Sequence, residues 1–181
     1  MNLNPFLRYV GITFGFTWLF WVLAVMSGLD VSDPLVIVLF ALGGIGPTVG
    51  GVVMTYLMGG RESLQDLLRR LTNVRQVGWF WMAFCLFFPL FLALLCLSID
   101  VHLLGHSWDS TETLDVLTSV IGLLGLIVFA FLFGPLPEEI GWRGFGLDSL
   151  QGVGERNLGW LESSLILAVV WTLWHTPFPF S

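Results

Sequence analysis

Glu138, Glu139 and, four residues on, Arg143 stand at the mouth of an apolar stretch covering residues 116–133, in the run VIGLLGLIVFAFLFGPLPEEIGWRGFG. A charge held at the centre of a membrane helix costs at least about 2.5–3.5 kcal/mol, so such groups persist where they face a bundle interior or a watery cavity. A second titratable group, His175, closes the next apolar run in VVWTLWHTPFPF. An acid, a base and an arginine beside hydrocarbon make hydrolysis the first chemistry to consider.

Spacing assigns different tasks to the two carboxylates. Glu139 and Arg143 are i and i+4, so they pair along one helix face. Glu138 points about 100° away and cannot share that pairing equally. One carboxylate is held and the other is free for chemistry. Pro135 and Pro137 interrupt the preceding apolar run, and proline suits the first turn of a new helix. A helix restarting at Pro137 puts both glutamates in its first turn, at the positive end of the helix dipole. An ordinary charged helix start at a membrane surface has the same appearance, so the reading turns on whether His175 reaches Glu138. If Glu138 lay at one membrane face and His175 at the far end of a full span, roughly 25 Å would separate them. They meet if the helix from Pro137 to about Gln151 is itself embedded, turns within 152–157, and returns through 158–175. Such a hairpin is the preferred arrangement.

The elements that must position these groups are membrane helices. The 181 residues are 56% hydrophobic and 11% charged, against about 25% charged in soluble domains, and mean hydropathy is +0.86. Continuous apolar runs at about 6–27, 34–58, 78–99, 114–133 and 158–174 predict an all-α, polytopic transmembrane helical bundle of five spans. A β-barrel would instead alternate over short strands. All seven basic residues are arginines and form no stripe, which excludes nucleic acid as a partner and leaves the lipid bilayer. The chain reads as one integral-membrane domain over 1–181, with the motif region at about 114–181.

Between the second and third spans, Arg61, Arg69, Arg70 and Arg75 accompany leucines at 64, 67, 68 and 71. Their i, i+3, i+4, i+7 spacing marks an amphipathic helix, lying in the membrane interface or exposing a solvated face. Arginines belong on the cytoplasmic side, whereas the loops around Asp30 and Asp33 and over 100–115 contain no Lys or Arg. That predicts a cytoplasmic N-terminus in the plasma membrane, with Glu138 at the cytoplasmic end of the fourth span. The first apolar run is too long for a signal-peptide core and lacks a cleavage site, so it reads as a retained span. Cys85 and Cys96 share one apolar run and behave as small hydrophobes. His102 and His106 have metal-compatible spacing, but they sit beside Gly105 and lack the glutamate of an HExxH motif. Gly11/Gly15 and Gly46/Gly50 have GxxxG spacing and predict close helix packing within the chain.

The EEIGWR segment, followed 32 residues after Arg143 by His175 in WTLWH, resembles the CPBP family. These are the CAAX-prenyl-protease and bacteriocin-processing (Abi) intramembrane endopeptidases. Their pattern is EExxxR on one membrane helix, FxxxH on the next, and a later His followed by Asn or Asp. The resemblance implies that Glu138 activates water, that Glu139 and Arg143 support the motif helix, and that His175 polarises water or stabilises the oxyanion. It implies a peptide or membrane-protein substrate. Zinc is the candidate cofactor, with Glu138 and His175 as its ligands, or the two residues act on water directly. Trp171 replaces the usual Phe. The chain stops at Ser181 before the later motif, so the resemblance implies a fragment of a larger bundle or a C-terminally truncated copy. Two other classes remain open on the residues. One is a non-catalytic membrane immunity or scaffold protein with a buried Glu–Arg–His network. The other is a proton-coupled transporter, which would call for a repeat that the chain lacks.

Overall fold

The computed structural model describes residues 5–73, 78–103, 105, 119, 121–122, 124–125, 135–152 and 158–177. Two compact units make up the chain, residues 1–69 with 127–181, and residues 70–126. All regular elements among the described residues are helices: α1 (Pro5–Met26), α2 (Pro34–Gly44), α3 (Gly46–Thr72), α4 (Trp79–Leu103), α5 (Pro135–Gly141), a π-helical turn (Trp142–Leu147), α6 (Asp148–Gln151) and α7 (Trp160–Trp174). Helix α1 and the run Pro34–Thr72 are long and apolar enough to cross a membrane, and α7 is a shorter apolar helix. The architecture is that of a helical membrane bundle. Most of the expected fourth span, 114–133, lies outside the described residues, as do Arg75 and His106.

Among the buried residues of α1, Tyr9, Thr13, Thr17 and Trp21 recur every four residues, between Phe6 and Ala24. This places a polar stripe on one face of an apolar helix. Leu19, Val22, Leu23 and Val25 are exposed on the remaining faces, the surface a bilayer would cover. After the Asp30–Ser32 turn, Asp33 caps α2 by accepting the Leu35 amide at 2.8 Å, with Pro34 at the first helical position. The second expected span is broken at Ile45, where Pro47 follows and cannot donate to a preceding carbonyl. Glycines let α2 and α3 approach the stripe. A Cβ on Gly46 would lie 2.0 Å from Thr17 Oγ1, and one on Gly50 would lie 2.3 Å from Thr13 Oγ1. The Gly46/Gly50 pair is therefore an intramolecular packing surface, whereas Gly11 and Gly15 face open space.

Gly60 breaks α3 with φ 65° and ψ −153°, a conformation that glycine alone adopts readily. It separates the apolar half from the arginine-bearing half. Of the expected leucine stripe only Leu67 is buried, while Leu68 and Leu71 are exposed. The reason is local: Gly144 has no side chain, and Leu67 Cδ1 occupies the place a Cβ would take there. In the other unit, α4 shows exposed Trp79, Phe80, Trp81 and Phe84, with Phe84 and Phe88 stacked at 4.7 Å. His102 lies in its last turn and Cys96 is a free, exposed thiol.

Candidate active site

Helix α5 begins at Pro135, two residues before the expected restart, because both prolines fit within a first turn. Its position is set from behind by α3. A Cβ on Gly141 would lie 2.1 Å from the Pro47 carbonyl oxygen, and one on Gly51 would lie 3.1 Å from the Gly141 Cα. The Thr48 hydroxyl also donates to the Pro137 carbonyl. Two backbones thus meet without intervening side chains. The motif helix then passes into the π-helical turn, whose widened backbone carries Trp142, Phe145 and Gly146 into the core. Such turns recur at functional sites. Gly152 ends α6, and the Leu158 amide returns to the Leu150 carbonyl at 3.2 Å before α7 begins. The motif helix and α7 are therefore neighbours, as the preferred hairpin requires.

The two carboxylates have separate partners. Glu139 accepts from the Arg143 guanidinium across one turn, on a face where Arg143 is 57% and Glu139 33% exposed. Glu138 accepts a hydrogen bond at Oε2 from the Trp171 indole N–H at 2.9 Å. His175 caps the end of α7, and its Nδ1 lies 3.0 Å from the Trp171 carbonyl. A carbonyl can only accept, so Nδ1 carries the proton and Nε2 of the neutral ring keeps its lone pair for another partner. The ring is held edge-on to Trp174 at 4.6 Å and near Trp21 and Trp171, each at 6.1 Å. Trp18 ties α1 to the same helix end by donating to the Trp174 carbonyl at 2.9 Å.

All four residues singled out by sequence lie on this hairpin. Glu138 and His175 both bond to Trp171, one to its indole N–H and the other to its carbonyl, while Glu139 and Arg143 form a separate pair. Sequence reasoning missed two others. Trp171 was read as an aromatic substitute for Phe, yet its N–H holds Glu138; the signal was its position one turn before His175. Tyr9, on the first helix, is fully buried against Trp142 and Phe145 of the π-helical turn. Its signal was the four-residue spacing of Tyr9, Thr13, Thr17 and Trp21 inside an apolar run.

A catalytic zinc takes three protein ligands and an exchangeable water. Glu138 and His175 Nε2 would supply two, and no cluster of three His, Cys, Asp or Glu side chains exists among the described residues. Within the described residues the donors are therefore two, one short of the usual three.

Fold and site together define an integral membrane protein in which a helix hairpin presents one committed and one available carboxylate, the latter beside a histidine. Residues 120–181 match the family model described as type II CAAX prenyl endopeptidase Rce1-like. Over 180 residues the chain is 24% identical to the CAAX prenyl protease 2 of Methanococcus maripaludis, covering 98% of this chain and 63% of that protein. Both matches are to CAAX prenyl endopeptidases, the group that the EEIGWR motif resembles. No solved structure matches it.

Proposed function

We propose that the whole protein is an intramembrane endopeptidase that hydrolyses a peptide bond with a water activated by Glu138 and assisted by His175. The observation that carries this reading is the placement of the Glu138 carboxylate on the Trp171 N–H, one helical turn from His175. Glu138 keeps Oε1 without a partner among the described residues, so it can take a proton from water as the oxygen attacks the scissile carbonyl carbon. The proton then passes to the leaving amine nitrogen as the C–N bond breaks, giving one acid and one amine per water consumed. His175, once protonated at Nε2, can donate to the oxyanion of the tetrahedral intermediate. The name of the archaeal relative favours a prenylated C-terminal peptide over other peptides delivered by the bilayer.

Liposomes carrying the full-length protein, given a farnesylated peptide ending in a CAAX sequence, should release a C-terminal tripeptide detectable by mass spectrometry. Glu138→Gln should abolish release. Intact release from that variant, or none from the parent protein against any prenylated peptide, would sink the assignment.

A further inference from the structure

Along the α1 stripe the two halves differ. Thr17 donates to the Gly43 carbonyl at 2.8 Å and Trp21 to the Phe40 carbonyl at 3.1 Å, so these two polar groups lock α1 to α2. One and two turns earlier, the Thr13 and Tyr9 hydroxyls are 0% exposed and have no hydrogen-bond partner among the described residues. The two lie side by side without the geometry of a mutual hydrogen bond. The Trp142 and Trp174 indole N–H groups are buried and unpartnered in the same way. These side chains form one contiguous cluster, with Tyr9 edge-on to Trp142 at 5.6 Å and Trp142 edge-on to Trp174 at 5.8 Å.

The phenol is not loosely placed. Its ring lies in a slot between two glycines, since a Cβ on Gly50 would come within 3.2 Å of it and one on Gly146 within 3.0 Å. Phenylalanine would fill that slot equally well and would bring no buried hydroxyl. Buried polar groups are almost always satisfied, and an unexplained one points to a water, an ion or a role in chemistry. Indole N–H groups only donate, while the two hydroxyls both donate and accept, so the missing partner must accept and can also donate. A buried water typically makes about three hydrogen bonds to otherwise unsatisfied groups. Among close-packed rings it is the partner of suitable size. Trp142, the ring the phenol meets edge-on, lies four residues after Glu138 along the motif segment.

We propose that the Tyr9 and Thr13 hydroxyls hold a buried water behind Glu138, making Tyr9 a positioning residue for the carboxylate. The first helix, more than a hundred residues from the motif, thereby becomes part of the site. This inference rests on the hydrolytic reading above for its kinetic consequences but not for the water itself.

The test uses the full-length protein in liposomes with four variants. Tyr9→Phe should lower kcat on the order of tenfold to a hundredfold with KM within about twofold, since a misplaced catalytic group loses rate on that scale. It should also displace the acid limb of the kcat–pH profile. Thr13→Val should act in the same direction, and Thr13→Ser should restore the rate. Thr17→Val should lower Tm and leave kcat unchanged. Melting in detergent supplies a readout independent of activity. A satisfied Tyr9 hydroxyl gives an unchanged or lower Tm on replacement by Phe, whereas an unsatisfied one gives a higher Tm. Raised Tm with unchanged kcat and pH profile overturns the proposal while Glu138→Gln still tests the peptidase. Should Glu138→Gln leave cleavage intact, the peptidase reading fails and the melting result still decides the water.

Discussion

Two faces of the motif helix, one residue apart in sequence, carry the same functional group and use it differently. On the outer face Glu139 is engaged by Arg143, four residues along the same helix and more than half exposed. On the inner face Glu138 is engaged from another helix, by an indole 33 residues away in sequence, with His175 one turn beyond. The local pair needs only helical periodicity. The inner arrangement needs α3 to press α5 into place and α7 to return alongside it. A carboxylate satisfied within its own turn is a brace, whereas one held by a single neutral donor and left with a free oxygen is available for proton transfer.

The sharpest way to break this comparison is to neutralise each carboxylate in turn. Glu138→Gln keeps the Trp171 hydrogen bond and removes the base. Cleavage by the full-length protein should fall by roughly 10²–10⁴, the range of general-base contributions. Glu139→Gln should fall far short of that, and equal losses would mean that both faces do chemistry. Next in size, Trp171→Phe keeps an aromatic ring but deletes the N–H donor. A hydrogen bond to a charged group is worth about 1.5–3 kcal/mol, so kcat should drop by roughly tenfold to a hundredfold. An unchanged rate would leave Glu138 positioned by other groups. For Glu139→Gln itself, thermal melting should show a loss of at most about 1 kcal/mol, because the pair is exposed and screened. Last, a strong zinc chelator tests the inner face for a metal whose third ligand comes from elsewhere in the full-length protein. Chelator-induced loss reversed by zinc would bring a third ligand from outside the described residues onto the inner face.

Legibility in the sequence followed the range of the interaction. The Glu139–Arg143 pair could be read directly, because i and i+4 residues on a helix are neighbours whatever surrounds them. Helix α1 and the return of α7 from Leu158 were also legible, since long apolar runs bounded by glycine and proline leave few alternatives. The break at Ile45 was not anticipated, although Pro47 signals it, because hydropathy is continuous across 34–58. Nor could the sequence reveal that Leu67 alone of its stripe would be buried. That depends on the absence of a side chain at Gly144, a contact across 77 positions.

By itself, then, the amino-acid sequence determined that this is a helical membrane protein, which residues carry its charge beside hydrocarbon, and which carboxylate is braced. Those properties follow from composition and from helical periodicity, which act over a few residues. Only the tertiary structure decided that Trp171 donates to Glu138, that His175 offers Nε2, that a π-helical turn follows the motif, and that Tyr9 packs behind it. Each of these depends on which helix faces lie against one another, set by close approach at Gly51, Gly141 and Gly146, where backbone or ring takes the space of a missing side chain.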